Sequence, residues 1–173
     1  MKLKSLVALA AVIGSLAAVG SASAATAELF GAAPMGFNFQ ALAIDSSGNL
    51  FTSNGSTMSK ITSAGTVTAS WASGLNPQST AVAVSPVDGT VYDGSSTGAP
   101  PRVRKLSAAG AVSATFNAPS NTSGIAAMTV DSSGTVWYVS NAKDLVKITS
   151  GGTQTNYSIG GSYGPTGVAV DSS

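Results

Sequence analysis

Side chains that could perform acid, base or nucleophilic chemistry are few in this sequence. The 173-residue chain contains no histidine and no cysteine, and its only glutamate is Glu28. Without these side chains, a Ser/His/Asp or Cys/His nucleophile and an imidazole or thiolate metal site cannot be built from these residues. A carboxylate pair at Asp93 and Asp144 is the remaining arrangement for acid–base work, because the two occupy comparable loops of a repeated sequence. We predict no catalytic residue, no cofactor and no metal site.

Amide side chains are common in the segments between the apolar runs. Asparagine and glutamine donate and accept hydrogen bonds without carrying charge, so they suit recognition of neutral polar ligands, such as sugars or peptide groups, better than proton transfer. The relevant segments are 53–57, 74–80, 93–102, 117–123 and 140–144. The candidate ligand-binding residues are Asn54, Asn76, Gln78, Asp93, Arg102, Asn121, Asn141 and Asp144.

One sequence pattern recurs three times and determines where these segments lie. Each copy has an apolar strand that ends in a turn, a glycine followed by apolar and aromatic residues, and then a lysine, an aliphatic residue, a hydroxyl residue and a glycine. The repeat glycines Gly48, Gly89 and Gly134 lie 41 and 45 residues apart. A period in the low forties is typical of the four-stranded blade of a β-propeller.

Each copy divides into four short β-favouring runs that are separated by turn residues. No stretch after residue 24 shows helical periodicity over three turns. The predicted fold class is therefore all-β. In the first copy the predicted strands are 42–45, 49–53, 58–62 and 66–71.

The repeat predicts an incomplete propeller of about three blades. A fourth copy starts at Val168 and stops at Ser173 after its first strand. Because propellers close with roughly four to eight blades, we expect either a fragment of a longer propeller or several chains that assemble into one ring through open sheet edges. The predicted blades are 36–75, 76–122 and 123–164, with the start of the next at 165–173 and a lead-in at 25–35.

The third copy carries the clearest resemblance to a known family. It includes 134–138 (GTVWY), 147–152 (KITSGG) and 163–171 (YGPTGVAVD). This pattern resembles the blades of NHL-type propellers and, most closely, of streptogramin-lyase-like propellers, and the resemblance covers 36–173. It implies a propeller that belongs among lyases, lactonases or binding modules. The metal-assisted elimination that a lyase resemblance implies uses a histidine general base, and no residue of this chain matches it.

Two functions follow from these observations. In propellers, loops from several blades converge on one face, so that face is where we expect the candidate residues to act. The first function is a secreted scaffold that binds a carbohydrate, a peptide or a protein through this loop face. The alternative is a streptogramin-lyase-like or lactonase-like enzyme whose catalytic residues lie in missing blades. The lack of histidine favours binding.

The repeated acids and glycines have a structural explanation. Asp45, Asp131 and Asp171 end a strand, where an aspartate accepts a hydrogen bond from a backbone N–H two residues on, and the repeat glycines supply the left-handed conformation that closes the hairpin. A calcium site is the alternative. It would need six or more converging oxygens, whereas repeated turns place the acids apart.

The repeated aromatic residues are predicted to pack between blades. Phe51, Tyr92 and Trp137 occupy one position of the repeat, and aromatic side chains fill the gaps between wedge-shaped sheets. A sugar-binding platform is the alternative for one of them. The basic group 102–105 (RVRK) is predicted to be a solvated strand with Arg102 and Arg104 on the same side, and an anion or ligand contact is the alternative.

The first 24 residues are predicted to be a secretory signal peptide. A basic start is followed by an apolar run at 6–18 and by small residues that end at Ala24. The apolar run is shorter than the roughly 20 residues of a spanning helix. We therefore expect a secreted, periplasmic or cell-surface protein. Removing Lys2 and Lys4 leaves 8 − 2 = 6 basic residues against 7 acidic ones, a net charge of −1 that predicts no nucleic-acid or membrane partner.

Overall fold

The computed structural model describes residues 40–75, 78–95, 100–119, 122–161 and 163–171. These residues form three antiparallel sheets of four strands each, so the all-β fold class is confirmed. The predicted signal peptide and lead-in lie outside them. In the part of the chain that is described, no helix has the length and apolar character needed to cross a bilayer.

Each sheet is a meander in which consecutive strands pair in chain order. Blade 1 consists of β1 (Ala41–Ile44), β2 (Leu50–Asn54), β3 (Thr57–Ile61) and β4 (Val67–Ala72). Blade 2 consists of β5 (Ser79–Val84), β6 (Val91–Ser95), β7 (Arg102–Leu106) and β8 (Val112–Asn117). Blade 3 consists of β9 (Ile125–Val130), β10 (Val136–Ser140), β11 (Asp144–Ile148) and β12 (Gln154–Ser158). The strands of blade 1 differ from the predicted ones by a single residue at each end.

The hairpins between the first two strands of blades 1 and 3 are closed by the predicted turns. Asp45 Oδ1 accepts hydrogen bonds from the backbone N–H of Ser47 at 2.9 Å and of Asn49 at 2.8 Å. Gly48 has a φ of 79°, a left-handed conformation that a side chain would strain. Asp131 makes the same contacts in blade 3, so the structural explanation of these two acids is confirmed.

The blades pack face to face, and their first strands are neighbours: β5 contacts both β1 and β9. We call the side of a blade that is turned toward the next blade in chain order its forward face, and the opposite side its backward face. The core between blades 1 and 2 joins Phe51 and Met58 with Val91 and Leu106. A second core lies between blades 2 and 3. Stability therefore comes from apolar side chains buried between sheets.

The repeated aromatic residues lie on the forward faces. Phe51 is buried against blade 2 and Tyr92 against blade 3, which confirms the predicted packing for these two. Trp137 has the same position on blade 3, but it is only half-buried because no described sheet covers that face.

The segment after blade 3 belongs to none of the three sheets. Residues 163–171 are described without strand pairing, and most of them are exposed. In the three blades, the first strand pairs with the strand that follows it in the chain, and no such strand follows this segment among the described residues. The sheets do not close into a ring, which agrees with the predicted incomplete propeller.

Candidate functional site

The loops that carry the predicted binding residues lie at one end of the sheets, which we call the loop end. It contains the turns between the second and third strands of each blade and the connections between blades. In blade 1, the backbone N–H of Ser79 donates to the carbonyl oxygen of Gly55 at 2.9 Å, and that of Leu75 donates to Ser56 at 2.9 Å. These bonds hold the β2–β3 turn against the connection to blade 2.

Asn54 and Gln78 both border this turn. Asn54 is the last residue of β2, and Gln78 comes directly before β5. The Gln78 side chain lies over Gly55, with Nε2 3.7 Å from the place where a Cβ would stand. The Gln78 side chain is exposed and Asn54 is half-buried. Two uncharged amides therefore flank one hydrogen-bonded turn.

Arg102 and Asn141 occupy the loop ends of the next two blades. The backbone N–H of Arg102 donates to Ser95 Oγ at 2.8 Å, and its guanidinium Nε is buried without a hydrogen-bond partner in the described part of the chain. The backbone N–H of Asn141 donates to the Gly124 carbonyl oxygen at 3.1 Å, and its side chain is exposed. These backbone hydrogen bonds hold Arg102 in blade 2 and Asn141 in blade 3.

Asp93 lies inside strand β6 and not in the loop in which the sequence analysis placed it. Its carboxylate is fully buried between blades 1 and 2 and accepts a hydrogen bond from Arg104 Nε at 2.5 Å. Burial raises the pKa of Asp93 above its usual range, although the Arg104 charge opposes this. The prediction of a solvated strand is likewise wrong for Arg104, which is buried as the partner of this carboxylate.

Asp144 is also buried, as the first residue of β11. Together with Val146 and Ile148, it lies on the backward face of blade 3. Burial, with a smaller contribution from the Asp144 charge, raises the pKa of the nearby Tyr138 phenol. Asp93 lies on the backward face of blade 2, so the sheet of blade 2 separates the two carboxylates. The carboxylate pair considered for acid–base work does not form.

The remaining two candidates, Asn76 and Asn121, lie outside the described residues. Of the predicted residues, Asn54 and Gln78 border the same turn, and both acidic candidates lie inside blade interfaces. Ligand binding by these residues stays a prediction.

A cleft that the sequence analysis did not predict opens at the opposite end of the sheets, between blades 1 and 2. Its volume is about 280 Å³, slightly below the ~300–1,000 Å³ of typical ligand sites. Asp45, Lys60 and Trp71 line it from blade 1, and Asp88 and Lys105 line it from blade 2. Both copies of the repeat supply a lysine and an acid to this cleft. The sequence period does not show how neighbouring blades are offset, so it does not predict that these four side chains line one cleft.

The two acids of this cleft are held ionised by local hydrogen bonds. Hydrogen bonds from Ser85 and Thr90 lower the pKa of Asp88. Burial acts in the opposite direction at Asp45, but hydrogen bonds from Asn49 and Ser47 outweigh it and lower that pKa as well. Two carboxylates and two ammonium groups leave the cleft without net charge.

The chemistry that this arrangement supports is recognition by hydrogen bonding. Asp45, Asp88, Asp93 and Asp131 are each engaged by hydrogen bonds or an ion pair. In the described part of the chain, no three acidic, histidine or cysteine side chains come together as a metal-binding group. The groups that remain available at the loop end are mainly amides.

Comparison with known proteins gives the fold but no family. No protein-family model and no curated protein matches the sequence. A streptogramin B lyase is similar in structure, with a TM-score of 0.59 and 19% identity over 70% of this chain and 40% of that chain. Virginiamycin B lyase from Staphylococcus aureus has a TM-score of 0.59 and 20% identity over 68% of this chain and 40% of that chain.

A third similar structure is a hydrazine synthase from Kuenenia stuttgartiensis, with a TM-score of 0.62 and 18% identity over 75% of this chain and 38% of that chain. The chain therefore spans about 40% of the length of the lyase chains that it matches. At these identities the likeness shows the fold alone. The chain has a streptogramin-lyase-like propeller fold, as its repeat pattern predicts.

Proposed function

We propose that this chain is an exported propeller module that binds a neutral polar ligand, with carbohydrate as the chemical class that fits best. The observation that carries the proposal is that Asn54 and Gln78 both border one hydrogen-bonded turn of the loop end. Amides pair with hydroxyl groups both as donors and as acceptors, so two of them at one turn suit a sugar.

The turn that presents these amides is organised before any ligand arrives. The bonds from Ser79 to Gly55 and from Leu75 to Ser56 fix the backbone on both sides of the amides. A ligand then loses less binding free energy to ordering the site, because the backbone conformation is already set.

The engaged acids favour binding over catalysis. A general acid or base needs a carboxyl group that reaches the substrate with a pKa suited to proton transfer. Asp93 is buried beside Arg104, and Asp45, Asp88 and Asp131 accept hydrogen bonds that keep them ionised. A binding role requires the amides and needs no proton transfer by these carboxylates.

The test is a binding screen of the exported product on an array of neutral oligosaccharides, followed by titration calorimetry with the oligosaccharides retained. The double variant Asn54→Ala/Gln78→Ala should bind at least about tenfold more weakly. Two hydrogen bonds of about 1 kcal/mol each exceed the 1.4 kcal/mol that corresponds to a factor of ten.

Asn156→Ala is the matched control, because Asn156 is an exposed amide on the outer strand β12, away from the loop end. It should bind like the unchanged protein. Retention of no oligosaccharide would contradict the proposed ligand class. Equal affinity in the double variant would contradict the proposed site.

Export is part of the same proposal and has its own test. The basic start, the apolar run and the small residues up to Ala24 support cleavage after that residue. Expression of the full chain in a secreting bacterial host should yield an extracytoplasmic product whose first residue is Ala25. A product that keeps Met1 in the cytoplasm would contradict export.

A further inference from the structure

The cleft between blades 1 and 2, at the end of the sheets opposite the loop end, has the size of a small molecule. Its volume of about 280 Å³ equals the share of about nine water molecules at roughly 30 Å³ each. Asp45, Lys60 and Trp71 line it from blade 1, and Ser107 and Ser113 are among the residues that line it from blade 2. The cleft therefore joins charges of both signs, an indole and hydroxyl residues around a space that is too small for an oligosaccharide.

Lys60 brings an ammonium group to this cleft without a counter-charge. Lys60 pairs with Phe51 across β2 and β3, so its side chain shares the forward face of blade 1 with that ring, and Nζ lies 5.5 Å from the ring centroid. In the described part of the chain the ammonium group forms neither a hydrogen bond nor an ion pair. Lys60 is half-buried. Because the group loses water without gaining a counter-charge, it favours an anionic partner.

Asp45 brings a carboxylate that retains an open acceptor position. A carboxylate has about four such positions. Oδ1 accepts hydrogen bonds from the backbone N–H of Ser47 and Asn49, and Oδ2 accepts from the Asn49 side-chain amide at 2.7 Å. Burial acts to raise the pKa of Asp45, but these bonds and the Lys60 charge outweigh it and lower the pKa. Asp45 is therefore ionised and held in place, and Oδ2 can accept from a ligand.

The equivalent acid of blade 3 has no open position. Asp131 Oδ1 accepts from the backbone N–H of Ser133 and Thr135 and from Ser133 Oγ, and Oδ2 accepts from Trp137 Nε1. In blade 1 the ring at the position of Trp137 is Phe51, which has no N–H to donate. Blade 1 thus leaves a place for a ligand donor that blade 3 fills with its own indole.

A β-bulge precedes the Trp71 side chain on the cleft wall. The pairing of β3 with β4 is interrupted there, so that residues 69–71 lie opposite Ser59 alone. Ser70 has a left-handed φ of 55°, which is uncommon for a residue other than glycine. The equivalent strands β11 and β12 pair without interruption. Bulges re-aim side chains, and this one accompanies an indole that lines the cleft 5.0 Å from the Phe51 ring, measured between centroids.

We propose that this cleft binds a free α-amino acid in its zwitterionic form. The Lys60 ammonium group binds the ligand carboxylate, Asp45 Oδ2 binds the ligand ammonium group, and the ligand side chain packs on Trp71. Asp45 and Lys60 form no ion pair with each other, so a ligand that carries both charges satisfies both groups at once. A simple anion or cation would satisfy one of them, and a neutral sugar would bring no counter-charge to either.

Tryptophan fluorescence and calorimetry test binding in this cleft. The chain has two tryptophans, so in the Trp137→Phe variant the tryptophan emission comes from Trp71. L-Leucine should change this emission saturably at millimolar concentrations or below. Titration calorimetry of the unchanged protein with L-leucine gives the dissociation constant independently of the emission. If neither measurement detects saturable binding up to the solubility limit of L-leucine, the proposal is wrong.

Two analogues of L-leucine test each charge without any change to the protein. Isoamylamine lacks the carboxylate, and isocaproate lacks the ammonium group. Each should bind at least about tenfold more weakly than L-leucine, because a hydrogen bond between charged groups contributes more than the free energy of a factor of ten. An analogue that binds as tightly as L-leucine would contradict the contact with both charges.

Matched variants place the contact in the cleft. Lys60→Met keeps an unbranched side chain and removes its charge, so it should bind L-leucine at least about tenfold more weakly. Lys147→Met makes the same change at the equivalent position of blade 3 and should bind L-leucine like the unchanged protein. So should Asn54→Ala/Gln78→Ala, which alters the loop end. Circular dichroism shows whether each variant keeps its sheets. A folded Lys60→Met variant that binds as tightly as Lys147→Met, or weaker binding by the loop-end variant, would overturn the assignment to this cleft.

Discussion

The two interfaces between blades share a backbone plan but differ in their central side chains. In blade 2, the residues paired across β6 and β7 on the backward face are Asp93 and Arg104. In blade 3, the residues paired at the same place are Tyr138 and Val146. One interface thus has a charged pair at its centre, and the other has a phenol beside an aliphatic side chain.

The two interfaces thus differ in which positions of the repeat must keep their residue type. The hairpin turns and the apolar positions next to them recur in every blade, because they close the hairpins and form the cores. The centre of the interface accepts different side chains as long as they pack or pair. A buried ion pair is weak evidence for stability, since apolar residues of similar volume often serve as well.

The largest expected effect comes from removing one member of the charged pair. Arg104→Met leaves Asp93 buried without its cation and should lower the free energy of unfolding by about 3–5 kcal/mol at neutral pH. Chemical denaturation measures this difference. The equivalent change in the other interface, Val146→Met, adds no charge and should cost only about 1–3 kcal/mol through overpacking.

The loss of unfolding free energy in Arg104→Met should also depend on pH. Burial already holds the pKa of Asp93 above its usual range, and without Arg104 the pKa should rise further. The folded state then prefers the protonated carboxyl group, so stability falls as the pH rises from the unfolded pKa to the folded one. The variant should therefore be closer to the unchanged protein at about pH 4 than at about pH 7. An equal loss at both values would contradict this electrostatic explanation.

The hairpin glycines offer a second way to compare the interfaces. Gly110→Ala places a methyl group against the Trp71 backbone, which cannot move freely, whereas Gly152→Ala meets the edge of the Phe116 ring at 3.1 Å. Both variants incur about 1–2 kcal/mol for the left-handed conformation. Gly110→Ala should cost about 1–3 kcal/mol more from the clash. Thermal unfolding of both variants measures the difference, and equal losses would show that the contact at Gly110 is looser than described.

A smaller effect is expected at the hairpin of blade 3. Burial acts to raise the pKa of Asp131, but hydrogen bonds from Ser133, Trp137 and Thr135 lower it to about 2. A lowered folded pKa contributes stability above the unfolded value of about 3.8, and this stability is lost as the pH falls toward 2.

Trp137→Phe removes the 2.9 Å bond from Nε1 to Asp131, while Phe51 shows that phenylalanine fits this position of the repeat. The variant should lose about 1 kcal/mol at neutral pH and less at about pH 2. Denaturation at both pH values tests this. A loss that is the same at both would show that the indole, and not its hydrogen bond to Asp131, is what matters.

The smallest effect is expected for Tyr138→Phe. The Tyr138 hydroxyl is buried beside the Thr122 side chain, and no hydrogen bond of regular geometry joins it to a partner in the described part of the chain. Its removal should change the free energy of unfolding by less than about 1 kcal/mol. Tyr138→Ala should cost about 3–5 kcal/mol, because it leaves a cavity in the core between blades 2 and 3. A large loss in Tyr138→Phe would reveal a hydrogen bond that matters to this interface.

The sequence predicts the strands well because their signals are local. Turn residues around Asp45 and Gly48 bound short β-favouring runs, so the strands of blade 1 are placed to within a residue. The same local signals wrongly predict that Asp93 lies in a loop, because an aspartate followed by glycine and serines is typical of a turn. Its pairing with Arg104, 11 residues away, keeps it in the strand instead.

The candidate site is less predictable than the fold because it depends on contacts between blades. Neighbouring side chains of a strand point to opposite sides, which correctly places Arg102 and Arg104 on one side. Whether that side faces solvent or another sheet depends on how the blades pack. For the same reason, the repeat could not show that Asn54 and Gln78, 24 residues apart in the chain (78 − 54), border one turn, or that a cleft opens at the opposite end.

Denaturation of the double variant Asp93→Leu/Arg104→Met shows whether this pair belongs to a blade interface or to a ligand site. The free energy of unfolding should recover to within about 1 kcal/mol of the unchanged protein, or exceed it, although Arg104→Met alone loses about 3–5 kcal/mol. A double variant that is less stable than Arg104→Met alone would contradict the assignment to a blade interface.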